Sequence, residues 1–164
     1  MNLQTDWPVI RQTFVHSRRS GLHHSFGSVN PDGTANVTPI GSLLLDRQQP
    51  TGFYCDVLNQ QLASNLATDS RVTVLAVDSR YGAWLRAFWQ GRFSRPPGFR
   101  LYGSVGARRL ATGAEQERIR RLFRPVRFTA GGKALLTQMA WVRDIEFDRV
   151  EPVRIGPLTV QTYR

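Results

Sequence analysis

The sequence predicts a mainly β protein, an antiparallel barrel with helices around it, and three observations carry that reading. Its 164 residues suit one domain with a real core, since a chain of this size buries roughly 70% of its unfolded surface. A Pro31-Asp32-Gly33 turn joins two strand-like runs near the start, and turns of this composition make hairpins. The order of elements is helix, three strands, helix, strand, helix, strand, two helices and two strands, with short connections that favour antiparallel pairing into a small closed barrel.

Each element has its own local cause. Residues 6–19 offer Asp6 as a cap, Trp7 and Pro8 in a first turn, and Ile10, Phe14 and Val15 at helical spacing, stopped by Ser20-Gly21. From residue 22 to 30 the period becomes strand-like, and residues 35–45 read as the returning strand of the hairpin. A turn over 48–52 leads to a third strand at 53–57. Residues 59–68 carry helix formers with Leu62, Ala63 and Leu66 as the apolar positions, and 71–77 is an almost unbroken β-branched run, the most buried strand expected.

Residues 79–91 hold Trp84, Leu85, Phe88 and Trp89 on one face of a short helix. Pro96-Pro97 bars the segment 92–98 from a central strand, because proline donates no ladder hydrogen bond. A strand follows at 99–110, then a helix from Thr112 to about Arg124 whose Thr112 and Glu115 fit a capping box. A second helix is expected at 133–139, making 112–140 a helical insertion in a barrel core of 21–112 and 141–160. Strands at 141–148 and 150–160 close the chain, bent at Glu151-Pro152.

Composition excludes several classes. With 41% hydrophobic and 21% charged residues and no long apolar run, the chain reads as globular and not membrane-spanning. The first residues lack the basic start and apolar run of a secretory leader, and Cys55 is the only cysteine. A cytoplasmic location is expected. The net charge is +10, carried by 21 arginines and Lys133, which suits an anionic partner. A basic nucleic-acid-binding domain is one such reading, but the arginines are spread from Arg11 to Arg164 without a reader motif.

Catalytic motifs are scarce. His23 and His24 fall on opposite faces of a strand and His16 stands apart, so no metal site is expected. One of the pair suits a structural role and the other solvent. Ser25, Ser28 and Ser42 lack a nucleophile elbow, Cys55 sits in a core strand as an inert thiol, and no helix opens on a glycine-rich phosphate loop.

The order of four segments carries more. "SFGSVNPDGTANVTPIGSLLL", "TGFYCDV", "NQQLASNLATDSRVTVLAVD" and "FRLYGSVGARRL" follow one another over residues 20–112, with 145–152 as a closing strand. In this order they resemble the pyridoxamine 5'-phosphate oxidase-like, FMN-binding split-barrel family. The resemblance implies a six-stranded antiparallel split barrel with flanking helices and an obligate homodimer with FMN at its interface. It places Val37, Thr38, Pro39, Ile40, Gly41 and Ser42 along the isoalloxazine ring, with their backbone groups on its pyrimidine edge. The phosphate end falls on Gln60, Gln61 and Leu62, where the family commonly carries Ser-Arg-Lys. The missing lysine leaves Arg71 and Arg86, with Arg80 and Arg92, as substitute cations, and the segment 80–95 is a candidate cover for the site.

A bound flavin performs redox chemistry itself, which accounts for the absence of an acid–base pair. The resemblance therefore implies an FMN-dependent oxidoreductase acting on a small-molecule substrate, with the catalytic residues unassigned. The late Arg-x-His and Trp-x-x-x-Arg-Leu patterns of the vitamin-synthesising oxidases are absent. A non-catalytic split barrel that binds another anion through its arginines is the alternative.

Overall fold

The computed structural model describes residues 1–159. Helix α1 (Trp7–Gly21) buries Trp7, Ile10 and Phe14, spaced by three and four residues on one face. Asp6 precedes it but caps no helix amide with its side chain; its carboxylate accepts from the Asn2 N–H at 2.8 Å. The helix runs two residues past 19 and ends at Gly21, within the expected Ser20-Gly21 stop, where Leu22 takes the left-handed conformation (φ 64°) and donates its N–H to the Arg18 carbonyl at 2.8 Å.

The strands are β1 (His24–Val29), β2 (Ala35–Ile40), β3 (Leu44–Leu45), β4 (Thr51–Cys55), β5 (Arg71–Val77), β6 (Gly98–Leu110) and β7 (Trp141–Pro152). They form one antiparallel sheet in the order β2-β1-β5-β6-β7-β4-β3. Connectivity alone forces this sheet to curl. Its two outermost strands, β2 and β3, are consecutive in the chain and separated only by residues 41–43. Laid flat, six inter-strand gaps would set them about 29 Å apart. Four Cα steps reach at most about 15 Å, so the edges come together and the sheet wraps into a barrel.

The sequence order gives seven strands and the resemblance implies six; seven are present, but they are divided differently from the sequence reading at two places, the first of them this link. The single strand read over 35–45 is two, broken at Gly41, where the chain leaves one edge of the sheet for the other. A Cβ at Gly41 would lie 3.0 Å from the Leu22 carbonyl oxygen. At the C-terminal end the two expected strands are one, β7, which Pro152 ends while still paired with Phe99. Beyond it Gly156–Leu158 form a 3-10 turn, not a strand; residue 160 lies outside the described residues.

The main core fills the barrel. Trp7, Ile10 and Phe14 of α1 meet Phe26, Val72, Val74, Phe99, Leu101 and Ile145, and α2 (Gln60–Thr68) adds Leu62 and Leu66. A second cluster lies outside the wall. There Phe53, Cys55 and Val142 are covered by Ile119 of α4 (Gly113–Leu122) and by Met139, which follows α5 (Ala130–Gln138). Strand β4 is therefore buried on both sides, Tyr54 inward and Phe53 and Cys55 outward. The segment 112–140 covers the outer surface at the β4–β7 side, while among the described residues no helix lines the outer surface of β2, β1 and β5 around Gly27, Val37 and Thr73.

Candidate functional site

The uncovered outer surface is organised by the strand registers. Val37 on β2 pairs with Gly27 on β1, Gly27 with Thr73 on β5, Thr73 with Tyr102 on β6, and Tyr102 with Arg149 on β7. Paired residues of antiparallel strands share a face, so these five residues form one row across the barrel. Its centre is low, with only Gly27 and Thr73, and its ends are high. The result is a trough of ≈660 Å³.

The edge strand β2 adds a row of backbone groups. The Asn30 N–H donates to the Thr34 carbonyl at 2.8 Å and closes the hairpin. Bonded pairs then recur at every second residue: Ser28 with Asn36, Phe26 with Thr38, His24 with Ile40. Ala35, Val37 and Pro39 fall in between, so their backbone groups face the free edge. Pro39, which has no N–H, occupies a position where no ladder bond is lost. Two N–H groups and three carbonyls thus line this edge beside the trough.

The other end carries charge. A bulge in the β6–β7 pairing, where Tyr102 opposes Arg149 but Gly103 opposes Phe147, leaves Asp148 unpaired at the rim. The Arg149 guanidinium lies 3.7 Å from the Tyr102 ring centroid and reaches Glu151 at 2.8 Å. The Tyr102 hydroxyl donates to Glu151 at 2.7 Å, a bond that raises the phenol pKa and keeps it protonated. Arg71 stands at the upper rim, its guanidinium 83% exposed and gripped by both oxygens of Asp69, the shortest contact 2.7 Å.

No protein-family model matches the sequence, and no curated protein does. Solved structures match in fold. HupZ of Group A Streptococcus is 14% identical, with a TM-score of 0.58 over 90% of this chain and 94% of its own. An FMN-binding protein of Syntrophomonas wolfei is 13% identical, with 0.57 over 93% and 95%. A Lactobacillus delbrueckii protein provisionally assigned as a pyridoxamine 5'-phosphate oxidase is 13% identical, with 0.54 over 87% and 90%. The fold is the pyridoxamine 5'-phosphate oxidase-like split barrel.

Within this split barrel the residues singled out from the sequence separate into groups. Val37 and Arg71 line the trough together. Thr38 faces inward, where its hydroxyl accepts from Asn36 at 3.1 Å. Ile40, Ser42 and Leu62 are buried, and the Ser42 hydroxyl accepts from the Cys55 N–H at 3.1 Å. Leu62, at the expected lysine position, sits in the main core with 1% exposure, so the position faces away from any surface ligand. Gln60 is exposed on the first turn of α2. Gln61 is held by Asn30 and Asn65, at 3.2 and 3.0 Å. Arg86 is in a different cavity, on α3 (Tyr81–Gln90), and does not meet Arg71. The segment 80–95 lines that cavity rather than the trough.

Three trough residues, Gly27, Thr73 and Arg149, carry no recognisable motif. In the structure Phe26 and Val74 are buried and Gly27 and Thr73 lie on the opposite face; the long-range register that aligns them is not written locally. His24 is buried with its Nε2 2.9 Å from the Phe14 carbonyl, and His23 is exposed. Burial pushes the Cys55 thiol up to about 11, which suits the inert role. Among the described residues no three His, Cys, Asp or Glu side chains gather as a metal site, and no helix is long and apolar enough to cross a membrane.

Proposed function

We propose that the trough binds the isoalloxazine ring of FMN and that the protein is a flavin-dependent oxidoreductase of a small substrate. The observation that carries this reading is the row Val37–Gly27–Thr73–Tyr102–Arg149, whose low centre accepts a planar ring against the sheet. Beside it, the free backbone groups of Ala35, Val37 and Pro39 offer donors and acceptors to a ring that has both on one edge. Arg71 at the rim is the cation for the phosphate, and Arg149, paired with Glu151 and stacked on Tyr102, bounds the other side. Bound flavin would supply the two-electron chemistry; the chain's residues orient the ring and leave one face open. A second copy of the chain is proposed to cover the apolar part of this face, where Val37 is 67% and Val29 44% exposed.

Two features set a modest affinity. Leu62 contributes no charge, and Arg71 is already neutralised by Asp69. One absent charge-assisted contact is worth roughly 1.5–3 kcal/mol, or about one to two decades in Kd. The buried Leu62 also supports a second reading, a split barrel without flavin that binds another anion. Absorbance of the purified protein between 350 and 500 nm and a fluorescence titration of FMN decide between them. Quenching of FMN at micromolar to millimolar protein, and a dimer by light scattering, are expected; FMN emission unchanged by excess protein removes the flavin reading.

A further inference from the structure

Residues 78–97 enclose a second cavity of ≈470 Å³ that shares no lining residue with the trough. One wall is the face of α3 bearing Gly82, Ala83 and Arg86, adjacent at helical spacing. The small residues make the room, since a Cβ at Gly82 would meet nothing within 4 Å. The opposite wall is the loop carrying Arg92 and Arg95, and Asp78 and Arg80 close one end. Phe93 stiffens the cavity, 7% exposed and edge-on to Trp84 with ring centroids 5.2 Å apart. The Trp84 indole in turn donates to the Asp78 carbonyl at 2.7 Å.

The charges at this site do not balance. Arg80 holds both Asp78 oxygens, at 2.9 and 2.6 Å, and cancels the one carboxylate in the lining. Arg86 and Arg92 have no ion pair among the described residues, and Arg95 donates to a neutral partner, Gln12, at 3.0 Å. Three guanidinium groups that have no carboxylate partner among the described residues therefore line one concavity and raise its potential, an arrangement that favours a bound anion. Planar arginine forks match phosphoryl oxygens two at a time. A concave pocket, as opposed to an extended stripe, suits a small molecule rather than a nucleic-acid backbone.

We propose that this cavity binds a small polyanion bearing a pyrophosphate-type group, held by Arg86, Arg92 and Arg95. Three positive charges are matched by such a group and not by a single phosphoryl. The site stands apart from the flavin trough and does not depend on it.

Inorganic pyrophosphate is the probe, titrated calorimetrically into the full chain with and without saturating FMN. Saturable binding is expected, tighter than for orthophosphate and unchanged by FMN. The double variant Arg86→Gln/Arg92→Gln is expected to bind about 100-fold more weakly, at roughly tenfold per lost charge-assisted contact. Arg120→Gln/Arg121→Gln, which removes the same charge from exposed positions on α4, is expected to stay within about twofold of the wild type. Circular dichroism and thermal melts confirm that both variants fold. Absence of binding at millimolar pyrophosphate, an equal loss in both variants, or displacement by FMN would each overturn the proposal. Failure to bind FMN with pyrophosphate binding intact would remove only the flavin reading.

Discussion

Asn65 on α2 donates through Nδ2 to the Ser28 hydroxyl on β1 at 2.9 Å, across 37 positions of sequence. The same amide group donates to Asn30 at 2.9 Å, and its oxygen accepts from Gln61 at 3.0 Å. Asn65 is fully buried and its bond to Ser28 is shielded from water, while those to Asn30 and Gln61 are partly buried. This cluster seats α2 against the hairpin that forms one side of the trough. Asn65→Leu removes three bonds while keeping the volume, and a loss of about 2–4 kcal/mol is expected from roughly 1 kcal/mol per bond. Urea unfolding measures it; a change below about 1 kcal/mol would show that the cluster does not hold the helix.

His24 gives the fold a pH dependence. Burial holds its pKa down at about 4, with Arg18 and His23 adding repulsion against the bond from Phe14 that favours protonation. Its Nδ1 is buried without a partner, and its Nε2 faces the Phe14 carbonyl, so the neutral ring donates there. The unfolded chain takes up the proton near pH 6.5 and the folded chain only near 4. Between those values the unfolded state holds more protons, so stability falls as pH falls from 6.5 towards 4 and levels off below. The expected loss is on the order of 3 kcal/mol. Denaturant midpoints at pH 7.5, 5.5 and 4.5 test this, and His24→Phe should flatten that part of the profile.

How far the sequence reached depended on whether a feature is local. The almost unbroken β-branched run of 71–77 placed β5 at its observed bounds, and Thr112 and Glu115 form the expected capping box. Each is decided within a few residues. The break at Gly41 was missed because it serves the barrel as a whole, carrying the chain between the two edges of the sheet. The apolar face read on α3 was correct as a pattern, yet Leu85, Phe88 and Trp89 point to solvent at 45, 62 and 87% exposure. A helix's period shows that it has a face, not what covers it. Likewise Arg71 and Arg86 read as equivalent cations, and only the path of β5 into α3 separates them. The trough was legible at Val37 and invisible at Thr73, which acquires meaning through its pairing with Gly27 and Tyr102.

Arg109 joins the helical segment to the barrel. Its guanidinium donates to Glu115 at 2.7 and 2.8 Å and to Asp144 on β7 at 2.6 Å. Glu115 also accepts from the Thr112 N–H at 2.8 Å to complete the capping box. The bond from Arg109 draws the Glu115 carboxyl down to about 2, with Thr112 adding to it. Its contribution is therefore present above the unfolded value of 4.5 and is lost as pH falls through 2. A double-mutant cycle of Arg109→Gln and Glu115→Gln at pH 7 should give a coupling of about 1 kcal/mol that shrinks as pH falls from 4.5 towards 2. Zero coupling at pH 7 would mean that the link is idle.

Gly103 is required by the bulge at the trough's edge. A Cβ there would overlap the Glu146 carbonyl oxygen, a backbone atom that has no room to yield. Gly103→Ala should cost more than about 2 kcal/mol, at the upper end of what overpacking usually does. It should also displace Asp148 and Arg149, so a lowered melting temperature is expected together with altered exchange of the β7 amides. An unchanged melting temperature would contradict the register described.

Gly27 is the opposite case. Its backbone is not in the left-handed region, and a Cβ would meet only Thr73, at 3.5 and 3.7 Å in ordinary contact. Nothing in the fold requires glycine there, and glycine inside a strand costs about 0.5–1 kcal/mol relative to alanine. The residue that is missing is missing from the centre of the trough, where a side chain would stand in the place of a bound ring. Gly27→Val should therefore keep or raise the melting temperature, since valine is favoured in strands, while weakening FMN at least tenfold in a fluorescence titration. A variant that is stable and binds FMN as the wild type does would place the flavin elsewhere, whereas one that is stable and has lost FMN ties binding to this one open position.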